Sequence, residues 1–279
     1  MLQFYQEKFG KEAFFMSLPP IENMSAVFDV RGKNVVVTGG NRGIGLGISA
    51  AFAQSGCNVA ILCRNLASGQ EAAEALKQYG TEVFAVQCDT SSLDSVKAAA
   101  ALVAEKFETL DVLVNNAGVS TVVHFLDDTD LQEWNRVLNT NLHGPANCVY
   151  CFAPMMKEKG GSIINISSIG GTCLGNAKDQ PMAPYNSSKA ALNQLTRFLA
   201  IDLGDYGIRV NAIAPGPTHS DLDKDLPPSA LAAIQEKMPM HRFGMPLEIG
   251  AMCVYLASPA GCHVTGTVIE HDGGMHLVG

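Results

Sequence analysis

Tyr185 and Lys189 stand four residues apart in the run Tyr185-Asn186-Ser187-Ser188-Lys189. A helix turns every 3.6 residues, so this spacing puts a phenol and an ammonium on one face, one turn apart. Free tyrosine titrates near pH 10 and exchanges protons poorly at neutral pH. A unit charge about 4 Å away is worth about 4 kcal/mol in a partly wet site, enough to lower a phenol pKa by roughly three units. Pro184 comes just before, where helices commonly start, and the positive end of the helix dipole pushes the same way. The pair reads as a tuned acid/base; the bland alternative is a lysine stem lying over an aromatic ring.

A second cluster could hold phosphate. The run Thr38-Gly39-Gly40-Asn41-Arg42-Gly43-Ile44-Gly45 follows a β-branched stretch at 34–38 and precedes a helical stretch at 44–55. Glycines let the chain turn tightly and let backbone N–H groups approach a pyrophosphate at a helix N-terminus. At the end of the next strand, 58–62, an NAD site places an acid for the ribose 2′-hydroxyl. Here Cys63 stands in that place, followed by Arg64. Arginine forks match phosphate, so Arg42 and Arg64 favour a 2′-phosphate and hence NADP(H) over NAD(H). The competing reading makes Arg64 a solvated helix-start residue.

The elements that must position these groups alternate. Apolar strand runs at 34–38, 58–62, 82–87, 111–115, 162–166, 208–213 and 267–270 are separated by helical stretches at 44–55, 66–79, 93–107, 130–159, 184–203 and 246–257. Strands without polar alternation, joined by helices, predict a doubly wound parallel sheet of about seven strands covered on both faces: an α/β, single-domain architecture over 29–279. The segment 217–245 holds Pro217, Pro227, Pro228 and Pro239 and reads as a lid, with Leu226, Leu231, Ile234, Met238 and Met240 available to close over a ligand. Packing on a neighbouring subunit is the alternative.

Residues 1–28 read as a partly ordered extension. Leu2, Tyr5, Phe9, Phe14 and Phe15 could form an apolar stripe, while Glu7, Lys8, Lys11 and Glu12 interrupt any signal-peptide core. No run approaches the roughly 18 apolar residues of a membrane span. A net charge of −8 argues against a general nucleic-acid or anionic-membrane surface. The cysteines are read as core thiols without a zinc or Cys-x-x-Cys arrangement, which with a reducing cytoplasm as default predicts no metal.

Ordered motifs extend this reading: TGGNRGIG (38–45), Cys88-Asp89, NNAG (115–118), NTNL (139–142), ISS (166–168), YNSSK (185–189) and APG (214–216). Over about 33–274 the chain resembles the short-chain dehydrogenase/reductase family, which has a Rossmann fold. The resemblance implies an active-site tetrad at Asn141, Ser168, Tyr185 and Lys189. Tyr185 would move the proton, Ser168 hold the substrate oxygen, Lys189 bind the nicotinamide ribose, and Asn141 keep a water in the relay. It implies cofactor contacts at Gly39, Asn41, Arg42, Gly43, Ile44, Gly45, Arg64, Asp89, Asn115, Ala117, Gly118, Pro215, Gly216 and Thr218, besides Tyr185 and Lys189. It also implies a homotetramer.

Ser168 and Tyr185 lie 17 positions apart, farther than in much of the family. The extra residues fall within 170–183 and include Thr172, Asn176, Lys178, Asp179 and Gln180. Together with Pro184-Tyr185-Asn186 and the extension, they resemble NADP-dependent mannitol, sorbose and carbonyl reductases. The resulting expectation is reduction of a ketose or other small ketone to a secondary alcohol. A hydroxysteroid dehydrogenase, a 3-oxoacyl-carrier-protein reductase and a cofactor-sensing regulator are the alternatives. The acidic run Asp202-Leu203-Gly204-Asp205-Tyr206 counts against an acidic carrier, and the retained Tyr185 and Lys189 against a regulator.

Overall fold

The computed structural model describes residues 24–173, 181–220 and 227–278. The N-terminal stripe, Leu226, and Asn176, Lys178, Asp179 and Gln180 of the polar loop lie outside them. Seven strands form one parallel sheet: β1 (Asn34–Thr38), β2 (Asn58–Cys63), β3 (Val83–Gln87), β4 (Val112–Asn115), β5 (Gly161–Ile166), β6 (Ile208–Pro215) and β7 (Val268–His271). Their spatial order is β3-β2-β1-β4-β5-β6-β7. Val35, Val36 and Val37 of β1 pair in parallel with β2 on one side and β4 on the other, and all are fully buried. Chain order reverses between β1 and β4, which opens a crevice beyond the C-terminal strand ends.

Helices cover both faces: α1 (Gly43–Gln54), α2 (Leu66–Leu76), α3 (Leu93–Ala104), α4 (Gln132–Leu138), α5 (Gly144–Phe152), α6 (Ala183–Asp202), α7 (Pro228–Lys237) and α8 (Pro246–Ala257). One apolar core, including Ile48, Phe52, Ile249 and Leu256, lies between the sheet and α1 and α8. The other, including Leu113, Phe107, Phe152 and Met156, lies between the sheet and α3 and α5. A Cβ on Gly47 would collide with Pro246, and one on Gly250 with Ala51, so small residues let α1 and α8 approach closely.

Three sequence expectations are corrected. The helical stretch at 130–159 is broken: α4 and α5 are joined by a π-turn, Asn139–His143, and the last turn, Ala153–Met156, is 3-10. The segment 217–245 is less irregular than its prolines imply, because Pro227 and Pro228 open α7 rather than prevent it. Its two ends are tied together: Thr218 bridges Gly244, His219 N donates to Gly244 O at 2.9 Å, and Gly244 N donates to Pro217 O at 3.0 Å. Cys148 and Cys151 do have Cys-x-x-Cys spacing, contrary to the reading of the cysteines. They sit in α5, where burial pushes both thiols up, and no group of three metal-ligating side chains occurs among the described residues.

Candidate active site

The C-terminal strand ends and the loops that follow them line one cleft of about 1920 Å³. At one end the chain leaves β1 through Gly39 and enters α1 at Gly43, both with left-handed φ (63° and 50°). A Cβ on Gly45 would run into Gly39 O and come within 2.5 Å of Asn116 Nδ2, so the turn closes only with glycine there. Asn41 Nδ2 donates to Ser68 Oγ at 2.9 Å, and Asn65 caps α2 by accepting from Ser68 N at 3.2 Å. Arg42 and Arg64 are exposed on the cleft wall, and neither guanidinium has an ion-pair partner among the described residues. Cys63 is buried, its thiol donating to Asn65 O at 3.1 Å, so no carboxylate faces these two cations from the end of β2. An open glycine turn at a helix N-terminus, flanked by two guanidiniums without an ion-pair partner among the described residues, fits a dinucleotide with an extra phosphate.

The middle of the cleft is fastened across the crevice. Thr38 Oγ1 accepts from Asn116 N and Ala117 N, each at 2.9 Å, while Asn116 Nδ2 donates to Thr38 O at 2.9 Å. Asn115 corrects an expectation: as the last residue of β4 it turns its side chain into the sheet, donating to Asn165 Oδ1 at 2.9 Å. Asn116, which the motif reading passed over, lines the cleft instead. Its position at the first residue beyond a strand, where side chains alternate, was the available signal. Asp89 borders the cleft with Oδ1 held by Ser91 N and Ser91 Oγ, at 3.0 and 2.7 Å. Pro215, Gly216 and Thr218 form the opposite wall, Thr218 Oγ1 donating to Gly216 O at 3.0 Å.

Ser168, Tyr185 and Lys189 meet at the other end. Gly170 and Gly171 pack so tightly on α6 that a Cβ on Gly171 would lie 2.7 Å from the Lys189 backbone. That contact sets the turn after β5 against the first turns of α6, and Ser168 hydrogen-bonds the Tyr185 side chain. Lys189 Nζ donates to Ile166 O at 2.8 Å and lies 5.7 Å from the Tyr185 ring centre. Burial brings the Lys189 ammonium down to about 8. The expected lowering of the phenol is not what results here: burial pushes Tyr185 up, with the Ser168 hydrogen bond acting in the opposite sense. Desolvation of the phenolate therefore outweighs the Ser168 hydrogen bond, and Tyr185 stays protonated at neutral pH.

Asn141 is fully buried in the π-turn. Its amide donates to Val119 O at 2.8 Å and to Ser188 Oγ at 3.1 Å, and its Oδ1 accepts from Val119 N at 2.8 Å. A Cβ added to Gly118 would lie 3.4 Å from Asn141 Oδ1 and 3.7 Å from Lys189 Nζ, so Asn141 and Lys189 approach the same point from two sides, while Ser168, Tyr185 and Lys189 line the cleft itself. Glycine at 118 leaves that point open.

A family model described as Enoyl-(Acyl carrier protein) reductase matches residues 39–276. The chain belongs to the short-chain dehydrogenase/reductase family. Members act as oxidoreductases on keto and alcohol groups, and the coarse reaction class of this chain is therefore set. Among its relatives is the 3-oxoacyl-[acyl-carrier-protein] reductase FabG of Staphylococcus aureus, 38% identical over 250 residues that cover 88% of this chain and 98% of that one. The Pseudomonas aeruginosa RhlG/NADP active-site complex is 33% identical with a TM-score of 0.83, over 91% of this chain and all of that one. A 7α-hydroxysteroid dehydrogenase complexed with NADH and 7-oxo glycochenodeoxycholic acid is 32% identical with a TM-score of 0.84, over 90% and 97%.

Proposed function

We propose that this chain is an NADP(H)-dependent reductase that converts a 3-oxoacyl thioester, or a closely similar ketone, to the secondary alcohol. The observation that carries the reading is that Tyr185, Ser168 and Lys189 line the same cleft as the glycine turn and as Arg42 and Arg64, which have no ion-pair partner among the described residues, with Asn141 tied to α6 through Ser188. NADP(H) is supported by those two guanidiniums, by Cys63 where an acid would select NAD, and by the NADP-bound RhlG relative. Backbone at Gly39–Gly45 would hold the pyrophosphate, Arg42 and Arg64 the 2′-phosphate, Asp89 the adenine side, and Pro215–Thr218 the carboxamide side. The cofactor supplies a hydride when bound. Ser168 Oγ then positions the substrate carbonyl, Tyr185 gives its proton to the oxygen as charge develops there, and Lys189 holds a positive charge beneath the phenol.

Of the polar loop residues that favoured a ketose, Thr172 lies among the described residues. Thr172 is exposed and turns its hydroxyl back to Ile169 O at 3.0 Å, away from the cleft. Met182, Ile234, Phe243, Met275 and Val278 give the cleft an apolar border that suits an acyl chain. The relatives named for 3-oxoacyl-carrier-protein reduction add to this. The acidic run at 202–206 still opposes an acidic carrier, which keeps a small ketose or polyol as the second reading. In this scheme 217–245 acts as a lid, and exposed Tyr150, Phe198 and Ile201 on α5 and α6 would be covered in a homotetramer.

The test is NADPH and NADH oxidation by the purified protein with acetoacetyl thioester, fructose, sorbose, an aryl ketone and a 3-ketosteroid. The expected result is NADPH-dependent turnover with the thioester preferred. Preference for a ketose would move the substrate to the second reading, and tight NADPH binding without turnover on any of them would overturn ketone reduction.

A further inference from the structure

We infer that Ser188 is a positioning residue that latches the Asn141 π-turn to the helix carrying Tyr185 and Lys189. The inference rests on the reductase reading above and deepens its account of the site. Ser188 is fully buried one turn below Tyr185. Its hydroxyl donates to Tyr185 O at 2.7 Å and accepts from Asn141 Nδ2 at 3.1 Å. In a regular helix Tyr185 O also receives the N–H of Lys189. One carbonyl therefore carries two donors, and a serine bonding back in this way bends a helix locally.

The other side of the latch is equally complete. Asn141 spends its remaining amide hydrogen and its oxygen on the two backbone groups of Val119. Three stretches of chain are thus joined through two side chains: the loop after β4, the π-turn, and the first turn of α6. Among the described residues the Asn141–Ser188 bond is the one side-chain hydrogen bond between the π-turn and α6. Both amide hydrogens of Asn141 are used by protein, so its NH2 group acts by holding Val119 and Ser188 in place. What reaches the reacting groups is the backbone conformation of the π-turn, and Ser188 fixes where that turn stands relative to the phenol.

Ser188→Ala removes both bonds at once and leaves one buried Asn141 N–H unpaired. Hydrogen exchange and turnover test the latch separately. Exchange at the amides of 119 and 139–144 should speed at least tenfold in Ser188→Ala, with the amides of β1 and β2 unchanged. Unchanged protection at 119 and 139–144 would overturn the inference whatever the enzyme turns over. On turnover, kcat should fall about tenfold or more while KM for NADPH stays within about twofold, because displacement of reacting groups acts on the chemical step. In an Asn141→Ala background the same substitution should cost no further kcat. Additive losses across that cycle would overturn the inference by making Ser188 an independent packing residue. Absence of turnover in the unaltered protein would count against the reductase reading alone, since the exchange result does not depend on it.

Discussion

Replacing Lys189 with Met should abolish reduction and, at pH 7, make the protein slightly more stable. Lys189 is buried and its ammonium falls from 10.5 to about 8 through desolvation. A drop of that size costs the folded state about 3 kcal/mol wherever both states are charged. Methionine keeps most of the volume without the charge, but it leaves Ile166 O without the 2.8 Å bond it now accepts, a loss of about 1–3 kcal/mol. The net gain is about 1 kcal/mol, or about 2 °C in thermal midpoint for a chain of this length. The sign of the pH dependence follows from the direction of the shift. Between about pH 8 and 10.5 the unfolded lysine holds its proton while the folded one has lost it, so the unaltered protein recovers stability as pH rises through that window. Thermal unfolding of the two proteins at pH 7, 8, 9 and 10, compared as differences, isolates this term from the thiols that titrate in the same range. The advantage of Lys189→Met should shrink steadily above pH 8. A variant clearly less stable at pH 7, with a difference that ignores pH, would refute the claim that the site holds its lysine at a cost to the fold.

Other consequences are narrower. Tyr185→Phe should bind NADPH normally and lose about 10²- to 10⁴-fold in kcat, read by cofactor fluorescence and by steady-state turnover. Arg64→Asp should weaken NADPH and favour NADH, seen as a reversal in the ratio of their kcat/KM values; an unchanged ratio means that Arg64 does not meet the 2′-phosphate. Gly45→Ala drives a methyl into Gly39 O, so dinucleotide binding should be lost and the midpoint lowered by several degrees.

How legible the molecule was depends on the kind of information each feature uses. Strands such as 34–38 and 208–213 are continuous apolar runs, and a parallel sheet buried on both faces is what such runs make. The helix at 246–257 was placed to the residue because Pro246 marks its start. The π-turn did leave a mark that the periodicity reading passed over: Gly144-Pro145 follows it, and Pro145 has no N–H to give Asn141 O and crowds that carbonyl, which breaks a regular helix there. Helix α7 was missed for the opposite reason, because two prolines read as a break when they are a beginning. The motifs singled out Ser168, Tyr185 and Lys189, which the fold brings to one cleft, but spacing could not decide which way burial moves Tyr185; that balance depends on how much solvent the fold removes. Asn115 shows the limit of matching by motif, since a strand sends alternate side chains to opposite faces and its neighbour is the one that borders the cleft.

The clasp between Thr218 and Gly244 has a consequence for how this protein can change. A chain segment whose two ends are tied to each other can vary between them without moving the strand that leads into it, up to Met238 and Met240, which pack on Gly273 beyond β7. Residues can be added to it or removed for little beyond the entropy of a slightly different loop, because neither anchor shifts. The groups proposed to transfer the proton hang instead from β5, α6 and the π-turn. Exchanging the stretch between 220 and 238 with that of a relative should therefore move substrate preference while leaving the chemical step intact, and the two properties can diverge independently along a lineage.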